Sequence, residues 1–109
     1  DYVHVWDIAV AHTKADTFID SITDENTTAV AMIFNLGTNK GISNKQIVDY
    51  VYGRYGLVHV NFGPRRAGDP DELVADASNA RELLGWEPKF SNIETIIDSA
   101  YKWYTRGVR

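Results

Sequence analysis

The sequence contains no cysteine among its 109 residues. Disulfide bonds, a thiol nucleophile and a zinc–thiolate centre are therefore excluded. The longest strongly apolar run covers residues 29–34, far short of the ~20 residues that a membrane-spanning helix needs, so we expect no membrane partner. The first residues show no charged stretch followed by an apolar one, as a secretory signal would. We therefore expect a cytoplasmic protein.

Positive charge is also scarce, because 11 basic residues stand against 15 acidic ones and give a net charge of −4. A net acidic chain is a poor general binder of nucleic acid or of anionic membranes. The contents of 44% apolar and 24% charged residues are ordinary for globular proteins and exclude a disordered or fibrous chain. The length is typical of one domain, so we predict a single domain over residues 1–109.

The hydrophobic pattern predicts alternating strands and helices. Alternating or continuous apolar runs predict short strands at residues 2–5, 30–36, 58–62 and 73–75. Helical spacing predicts a helix after each of the first two strands and two more near the end. The order β-α-β-α-β-(β)-α-α indicates an α/β fold, a small mixed domain of about four helices and three to four short strands.

Capping residues define where the predicted helices begin and end. Asp7 is the expected N-cap of the first helix. The second has a capping box and a glycine stop, the third a serine cap and a Schellman-type stop before proline, and the fourth a second capping box. In chain order these residues are Ser43 with Gln46, Gly56, Ser78, Gly85 with Trp86, Pro88, and Ser91 with Glu94.

The densest polar feature is the segment Pro-Arg-Arg-Ala-Gly-Asp-Pro at residues 64–70. Two adjacent guanidinium groups, Arg65 and Arg66, are a plausible phosphate clamp, because each presents a planar fork that matches phosphate oxygens. Asp69 could accept hydrogen bonds from ribose hydroxyls. The alternative is that both arginines pair with nearby carboxylates such as Asp69 and Asp71, and the segment alone leaves the two interpretations open.

Other polar features favour structural roles. The loop at residues 37–43 follows a strand and precedes a helix, but its spacing fits neither a dinucleotide loop nor a Walker loop, so we interpret it as a plain connection. The three histidines are scattered without metal-ligand spacing, and no nucleophile-elbow pattern occurs. We therefore predict neither a metal site nor a catalytic triad.

Four segments together resemble UDP-glucose 4-epimerases. Residues 1–9 (DYVHVWDIA) resemble the family's Asp-Tyr-Ile-His-Val-x-Asp-Leu-Ala segment, and residues 34–43 (FNLGTNKGIS) its Asn-Leu-Gly turn. Residues 65–70 (RRAGDP) resemble its nucleotide loop, and residues 75–86 (ADASNARELLGW) the segment after it. The order and spacing match from residue 1 to about residue 105. The family belongs to the extended short-chain dehydrogenase/reductases, which join an NAD-binding Rossmann domain to a C-terminal domain for the nucleotide-sugar.

The resemblance implies that this chain is the C-terminal, substrate-binding part alone, with the Rossmann domain as its missing partner. Neither the family's glycine-rich loop nor a tyrosine followed four residues later by lysine occurs here. We therefore expect NAD to serve the full-length parent, which we expect to be a homodimer, and not to be bound by this chain alone. In the parent, the family mechanism moves a hydride from C4 of the sugar to NAD and back to the other face.

The resemblance also implies roles for four residues. Arg66 would contact the diphosphate, Asp69 the ribose hydroxyls, Tyr2 the nucleotide part of the substrate, and Leu73 the region near the sugar's C2 substituent. Three alternatives remain: a part of another nucleotide-sugar epimerase or dehydratase, a nucleotide-binding module without catalysis, and a purely structural or interaction domain.

Overall fold

The computed structural model describes residues 1–27, 29–56 and 59–106. The described residues form three α-helices and one short π-helix, and segments without regular secondary structure connect them. Helix α1 spans Val5–Ile22, α2 spans Asn44–Tyr55, the π-helix spans Ala80–Leu84, and α3 spans Ile93–Thr105. The prediction of four helices is confirmed in number.

The predicted α/β fold is wrong, because the described residues contain no β-strand. Residues 29–36 and 59–63 have no regular secondary structure, and they take part in none of the backbone–backbone hydrogen bonds that link the described residues. An extended apolar segment becomes a strand only when a neighbouring strand accepts and donates its backbone hydrogen bonds. Residues 73–75 also lack such a partner, and Val58, the first residue of the third predicted strand, lies outside the described residues.

The first predicted strand is wrong for a different reason, because α1 begins at Val5. His4 is the N-cap, and its Nδ1 accepts the backbone N–H of Trp6 at 3.0 Å. Asp7, predicted as the cap, lies inside the first turn and is 2% exposed. An imidazole nitrogen thus takes the role that is more often filled by serine or aspartate.

Helix α2 begins and ends as predicted. The Ser43 hydroxyl accepts the N–H of Gln46 at 3.1 Å, and the Gln46 side chain accepts the N–H of Ser43 at 2.7 Å. Gly56 ends the helix with a φ of 97° and donates its N–H to the Tyr52 carbonyl at 2.9 Å. A positive φ of this size favours glycine, since a Cβ would be strained there.

The π-helix confirms the predicted stop but not the predicted cap. Gly85 has a φ of 65°, and the N–H of Trp86 reaches back to the Ala80 carbonyl at 3.2 Å, as in a Schellman motif. Ser78 does not cap the turn, because its hydroxyl donates to Asp76 Oδ1 at 2.5 Å, and Asn79 stands at the N-cap without a side-chain capping hydrogen bond. The local sequence thus places the turn correctly but not its cap.

Helix α3 begins one residue later than the predicted capping box implies. Asn92 is the N-cap, and its side chain accepts the N–H of Thr95 at 2.8 Å. Ser91 is buried and donates its hydroxyl to Asp7 Oδ2 at 2.6 Å. The predicted box is wrong because a tertiary hydrogen bond occupies the serine.

The core lies where α1 packs on the π-helix, and α2 packs separately on α3. The fully buried apolar residues are few and small apart from one indole; they are Ala11, Ala77, Ala80 and Trp86. The Trp86 indole N–H donates to the Asp7 carbonyl at 2.8 Å. The radius of gyration is 18.0 Å, against about 13 Å for a compact domain of this length, so much of the chain lies away from this core.

None of the helices in residues 1–27, 29–56 and 59–106 is both long and apolar enough to cross a membrane.

Candidate functional site

An open cleft of about 710 Å³ lies between the start of the chain, the first turn of α2 and residues 71–74. Its lining includes Tyr2, Ser43, Asn44, Asp71, Glu72 and Leu73. We call it the Tyr2 cleft. Tyr2 and Leu73, two of the four predicted substrate residues, therefore share one cavity although they lie far apart in the sequence.

Tyr2 stands at the wall formed by helix α2. Its hydroxyl donates a hydrogen bond to Asn44 Oδ1, and 37% of the residue is exposed. Asn44 is the first residue of α2, which the capping box at Ser43 holds in place. The hydrogen bond thus fixes the hydroxyl end of the ring, while part of the residue stays accessible to a ligand in the cleft.

Asp1 lines the Tyr2 cleft and joins three segments around it. Its carboxylate accepts hydrogen bonds from the Thr38 N–H at 3.3 Å, from the Thr38 hydroxyl at 3.0 Å and from the Ala75 N–H at 3.2 Å. Its nitrogen donates to the Leu73 carbonyl at 3.1 Å. The start of the chain, the turn before α2 and the segment that carries Leu73 thus meet at one side chain.

The turn at residues 37–41 does not fit the diphosphate of a dinucleotide. A Cβ on Gly37 would overlap Asp1 Oδ2 and would lie 2.8 Å from the Ala75 Cβ, so this glycine makes room for a carboxylate. The Ser43 and Gln46 amide groups at the start of α2 are used by the capping box. A negative charge at the turn and the loss of these two donors oppose phosphate binding.

We call residues 64–70 the double-arginine segment. Its two arginines pair with nearby carboxylates. Arg66 Nε lies 2.7 Å from Asp69 Oδ2, and Arg65 Nη2 lies 2.5 Å from Asp71 Oδ1. Arg65 also donates to the Asp69 carbonyl at 3.1 Å. This is the carboxylate-paired alternative that the sequence left open. The side chains remain accessible, with 85% of Arg66 and 45% of Asp69 exposed.

The segment adjoins the Tyr2 cleft without lining it. Asp71 belongs to the cleft and holds Arg65, whereas Arg66 and Asp69 are not among the lining residues. The four predicted substrate residues are therefore placed as two pairs: Tyr2 with Leu73 inside the cleft, and Arg66 with Asp69 next to its Asp71 edge. Leu73 is 75% exposed, so it is open to contact by a ligand.

A tyrosine–carboxylate cluster fixes α2 against α3. The hydroxyls of Tyr50 and Tyr55 both donate to Asp98, at 2.9 Å and 2.5 Å, and the Tyr55 ring stacks on Tyr101 at a centroid distance of 3.7 Å. The hydrogen bond to Asp98, followed by burial, raises the pKa of Tyr55 to about 12. Burial and the same carboxylate raise the pKa of Tyr50.

The pKa of the Asp98 carboxyl group is lowered, whereas the pKa values of the two tyrosines are raised. The hydrogen bond from Tyr55 is the largest cause that lowers the pKa of Asp98, while burial opposes it; the Tyr50 hydroxyl and the Arg54 guanidinium, 3.9 Å away, lower it further. Tyr55 thus acts as a hydrogen-bond donor between the two helices, whereas Tyr52 on the same helix is 57% exposed.

Among the described residues, His4 and Ser99 form the one histidine–serine pair joined through their side chains, at 3.0 Å. It is not a base and nucleophile. His4 Nδ1 accepts the Trp6 N–H, so the neutral ring carries its proton on Nε2, which then donates to Ser99. The Ser99 hydroxyl in turn donates to the Ile96 carbonyl at 3.0 Å. The described residues also contain no group of three acidic or histidine side chains arranged to hold a metal ion.

The sequence patterns did not indicate two residues of the site, Asn44 and Asp1. Asn44 has a long-range partner in Tyr2, and Asp1 has partners in two distant segments. Neither stands at a recognisable spacing from its partners. The signal that could have indicated Asp1 is Gly37, because a glycine directly after an apolar run often marks the close approach of another group.

Comparison with protein families gives a match over residues 1–99 to the family described as GDP-mannose 4,6 dehydratase. The chain belongs to this family. Because the match starts at residue 1 and ends within α3, it includes both the Tyr2 cleft and the double-arginine segment.

Individual relatives are named as epimerases. The chain is 41% identical over 105 residues to a UDP-glucose 4-epimerase of Lactobacillus helveticus, with 95% of this chain and 30% of the relative covered. It is 42% identical over 106 residues to a UDP-glucose 4-epimerase of Streptococcus mutans, with 96% and 30% covered. A UDP-arabinose 4-epimerase of Arabidopsis thaliana is 33% identical, with 94% and 23% covered. The chain thus spans about 30% of the length of these two bacterial relatives.

Proposed function

We propose that this chain is the C-terminal, nucleotide-sugar-binding domain of a UDP-glucose 4-epimerase, which interconverts UDP-galactose and UDP-glucose. The observation that carries the proposal is that Tyr2 and Leu73 line one cleft beside the double-arginine segment. The similarity to UDP-glucose 4-epimerases over nearly the whole chain supports it. In this proposal the remaining length of the relatives corresponds to the NAD-binding Rossmann domain, and the complete enzyme is a cytoplasmic homodimer.

The residues of this chain bind and orient the substrate. Arg66 contacts the diphosphate, Asp69 the ribose hydroxyls, Tyr2 the nucleotide part, and Leu73 the sugar. NAD supplies the hydride chemistry when it is bound elsewhere in the complete enzyme. Binding energy from the non-reacting nucleotide positions the sugar at the reacting centre while leaving it free to turn.

Binding in this way exchanges one ion pair for another. Arg66 must leave Asp69, whose carboxylate lies 2.7 Å away. An exposed ion pair contributes only about 0–1 kcal/mol, whereas a charge-assisted hydrogen bond to a phosphate contributes about 1.5–3 kcal/mol. The exchange also frees the Asp69 carboxylate to accept hydrogen bonds from the ribose.

The first test is Arg66→Ala in the natural polypeptide that carries this chain. We expect UDP binding, measured by calorimetry, to weaken by about 1.5–3 kcal/mol, the range for a charge-assisted hydrogen bond. Arg65→Ala is the matched control, because Arg65 is held by Asp71 and the Asp69 carbonyl. A larger loss in Arg65→Ala than in Arg66→Ala would contradict the assignment within the pair.

The second test concerns the sugar. Leu73 is open to the cleft, and a leucine side chain can change rotamer where a tyrosine ring would fill the space. We expect the plain UDP-sugars as the main pair of substrates, with some tolerance of the N-acetylated pair. Leu73→Tyr should lower catalytic efficiency on the N-acetylated pair by at least about tenfold relative to the plain pair, or ~1.4 kcal/mol. Equal losses on both pairs would show that Leu73 supports the fold instead of selecting the sugar.

A second candidate function follows from the family description, which names a GDP-mannose dehydratase. The two candidates differ in the base that faces Tyr2, and the similarity to UDP-glucose 4-epimerases at 35–42% identity favours uracil. Calorimetry with UDP and GDP separates them. Tighter binding of GDP than of UDP would overturn the epimerase proposal and support the dehydratase.

A further inference from the structure

We propose that Asp1 is a positioning residue of the nucleotide-sugar site, which sets the distance between Tyr2 and Leu73 across the cleft. The inference rests on the proposed function for the identity of the ligand. Its structural basis is that Asp1 is covalently joined to Tyr2, while its carboxylate accepts the N–H of Ala75, two residues after Leu73. Asp1 does not need to touch the substrate to act in this way.

The hydrogen bonds of Asp1 fix one side of the cleft relative to the other. Its Oδ2 accepts the N–H of Ala75, two residues after Leu73. This contact holds the segment that carries Leu73 at a set position beside Tyr2.

The same carboxylate fixes the wall formed by α2. Both of its oxygens face the Thr38 N–H, and Oδ1 also faces the Thr38 hydroxyl. Thr38 lies in the turn that leads into α2, whose first residue, Asn44, receives the Tyr2 hydroxyl. Tyr2 is therefore held at both ends, by its neighbour Asp1 and by Asn44.

Gly37 shows that the approach of Asp1 to this turn is specifically accommodated. A Cβ at Gly37 would overlap Asp1 Oδ2, so a side chain at this position would push the carboxylate out of its place. The turn and the Leu73 segment are also joined independently, because the Ala77 N–H donates to Asn39 Oδ1 at 2.9 Å. Loss of the Asp1 carboxylate should therefore loosen the cleft without separating the two segments.

The chemistry predicts which substitution removes the effect. A carboxylate offers acceptors on both oxygens, whereas an asparagine amide would turn an NH₂ group toward the N–H groups of Thr38 or Ala75. Asp1→Asn keeps the size of the side chain and loses at least one of the three acceptor contacts. Thr38→Val is a milder variant, since it keeps the shape of Thr38 and removes its hydroxyl.

The test compares two probes of the natural polypeptide that carries this chain, UDP and inorganic pyrophosphate, by calorimetry or competition. UDP engages the Tyr2 side of the site as well as Arg66, whereas pyrophosphate engages Arg66 alone. We expect Asp1→Asn to weaken UDP binding about tenfold and Thr38→Val about threefold, as expected for lost or unpaired hydrogen bonds. Pyrophosphate binding should stay within about twofold in both variants, since the Arg66 contact is unchanged.

The control variant is Asp16→Asn, which makes the same chemical change at an exposed position of α1. It should bind both probes like the wild type. A merely structural role of Asp1 would lower the melting temperature and leave the UDP dissociation constant of the folded protein unchanged. Should Asp1→Asn fail to fold, Thr38→Val decides the question by the same comparison.

Two outcomes separate the inference from the proposed function. If Arg66→Ala weakens UDP binding and Asp1→Asn and Thr38→Val do not, or if they weaken UDP and pyrophosphate equally, the role of Asp1 is overturned and the proposed function stands. If the wild type does not bind UDP, or if Arg66→Ala binds it as the wild type does, the proposed function fails and the inference fails with it.

Discussion

Asp7 is the most completely buried charged residue described, with 2% of its surface exposed. Its carboxylate accepts the backbone N–H groups of Lys89 and Phe90 at 3.0 and 2.8 Å and the hydroxyl of Ser91 at 2.6 Å. These contacts connect the first turn of α1 to the segment that leads into α3. A negative charge in the first turn of a helix is also favoured by the helix dipole.

We expect Asp7→Ala to lower the free energy of unfolding by about 3 kcal/mol, because it leaves several buried donors without an acceptor. Denaturant unfolding followed by circular dichroism measures the change. Asp16→Ala, on the exposed side of the same helix, should change the free energy by less than about 0.5 kcal/mol. Similar effects of the two substitutions would show that the Asp7 contacts contribute little to stability.

The pKa of Tyr55, raised from 10.0 to about 12, gives stability a dependence on alkaline pH. Because the folded state favours the protonated phenol, its contribution is complete below pH 10 and is lost as the pH rises through the folded-state pKa. We expect the melting temperature to fall between about pH 10 and 12, and Tyr55→Phe to make this fall shallower. Tyr104→Phe, at an 80% exposed side chain, is the control. An unchanged slope in Tyr55→Phe would contradict the prediction.

At the scale of secondary-structure elements, two glycines occupy opposite environments. Gly85 ends the π-helix with a φ of 65°, whereas Gly53 lies inside α2, where an added Cβ would meet nothing within 4 Å. Alanine is strained in the left-handed region but is a better helix former than glycine. The same substitution should therefore have opposite effects at the two positions.

We expect Gly85→Ala to lower the free energy of unfolding by about 1 kcal/mol and Gly53→Ala to raise it by about 0.5–1 kcal/mol. Thermal and denaturant unfolding of the two variants against the wild type give both values. A destabilised Gly53→Ala would mean that the exposed face of α2 packs against something in solution.

The elements that the sequence predicts correctly are those with local causes. The Ser43–Gln46 box, the Gly56 stop and the Gly85–Trp86 stop each depend on residues within a few positions of one another. The donors and acceptors of these hydrogen bonds all lie within one or two helical turns of one another. Strands depend on a neighbouring strand, and the described residues offer none to residues 29–36, so an apolar run alone indicated the wrong element.

The roles of the candidate site residues stay predictions, and their geometry could not be predicted from the sequence. Resemblance indicated Tyr2, Arg66, Asp69 and Leu73, but nothing in the pattern could show that two of them line a cleft and the other two form an ion pair. Two other positions, the cap of α3 and the first residue, show the limit most clearly. Ser91 donates its hydroxyl to Asp7, and Asn92 caps α3 instead. Asp1 accepts hydrogen bonds from Thr38 and Ala75, which lie 37 and 74 residues away in the sequence.

At the scale of the whole molecule, the surface is unusually large. The accessible area is 8789 Å², against about 6,100 Å² for a compact protein of this mass. Among the segments without regular secondary structure, Ile33 is 89% exposed and Phe62 is 97% exposed. Exposed apolar segments with unpaired backbone groups promote pairing between chains.

We therefore expect the 109-residue chain, when prepared alone, to self-associate as its concentration rises. Ile33→Lys should weaken this association, because a charge on an unpaired extended segment opposes pairing, and should leave the free energy of unfolding within about 0.5 kcal/mol. Ala9→Lys, at an exposed position of α1, adds the same charge elsewhere and should not. Sedimentation velocity over a range of concentrations measures the result, and equal association of the two variants would exclude residues 29–36 as the contact.

The burial of Trp86 gives the folded chain a distinctive fluorescence. Trp86 is 1% exposed, whereas Trp6 and Trp103 are 60% and 59% exposed. A dissolved quencher such as iodide should therefore reach two of the three indoles and spare the third, whose emission lies at shorter wavelength in its apolar surroundings. When α1 separates from the π-helix, Trp86 becomes accessible and its emission shifts to the red. The contact between these two helices can thus be followed by light emission without any added label.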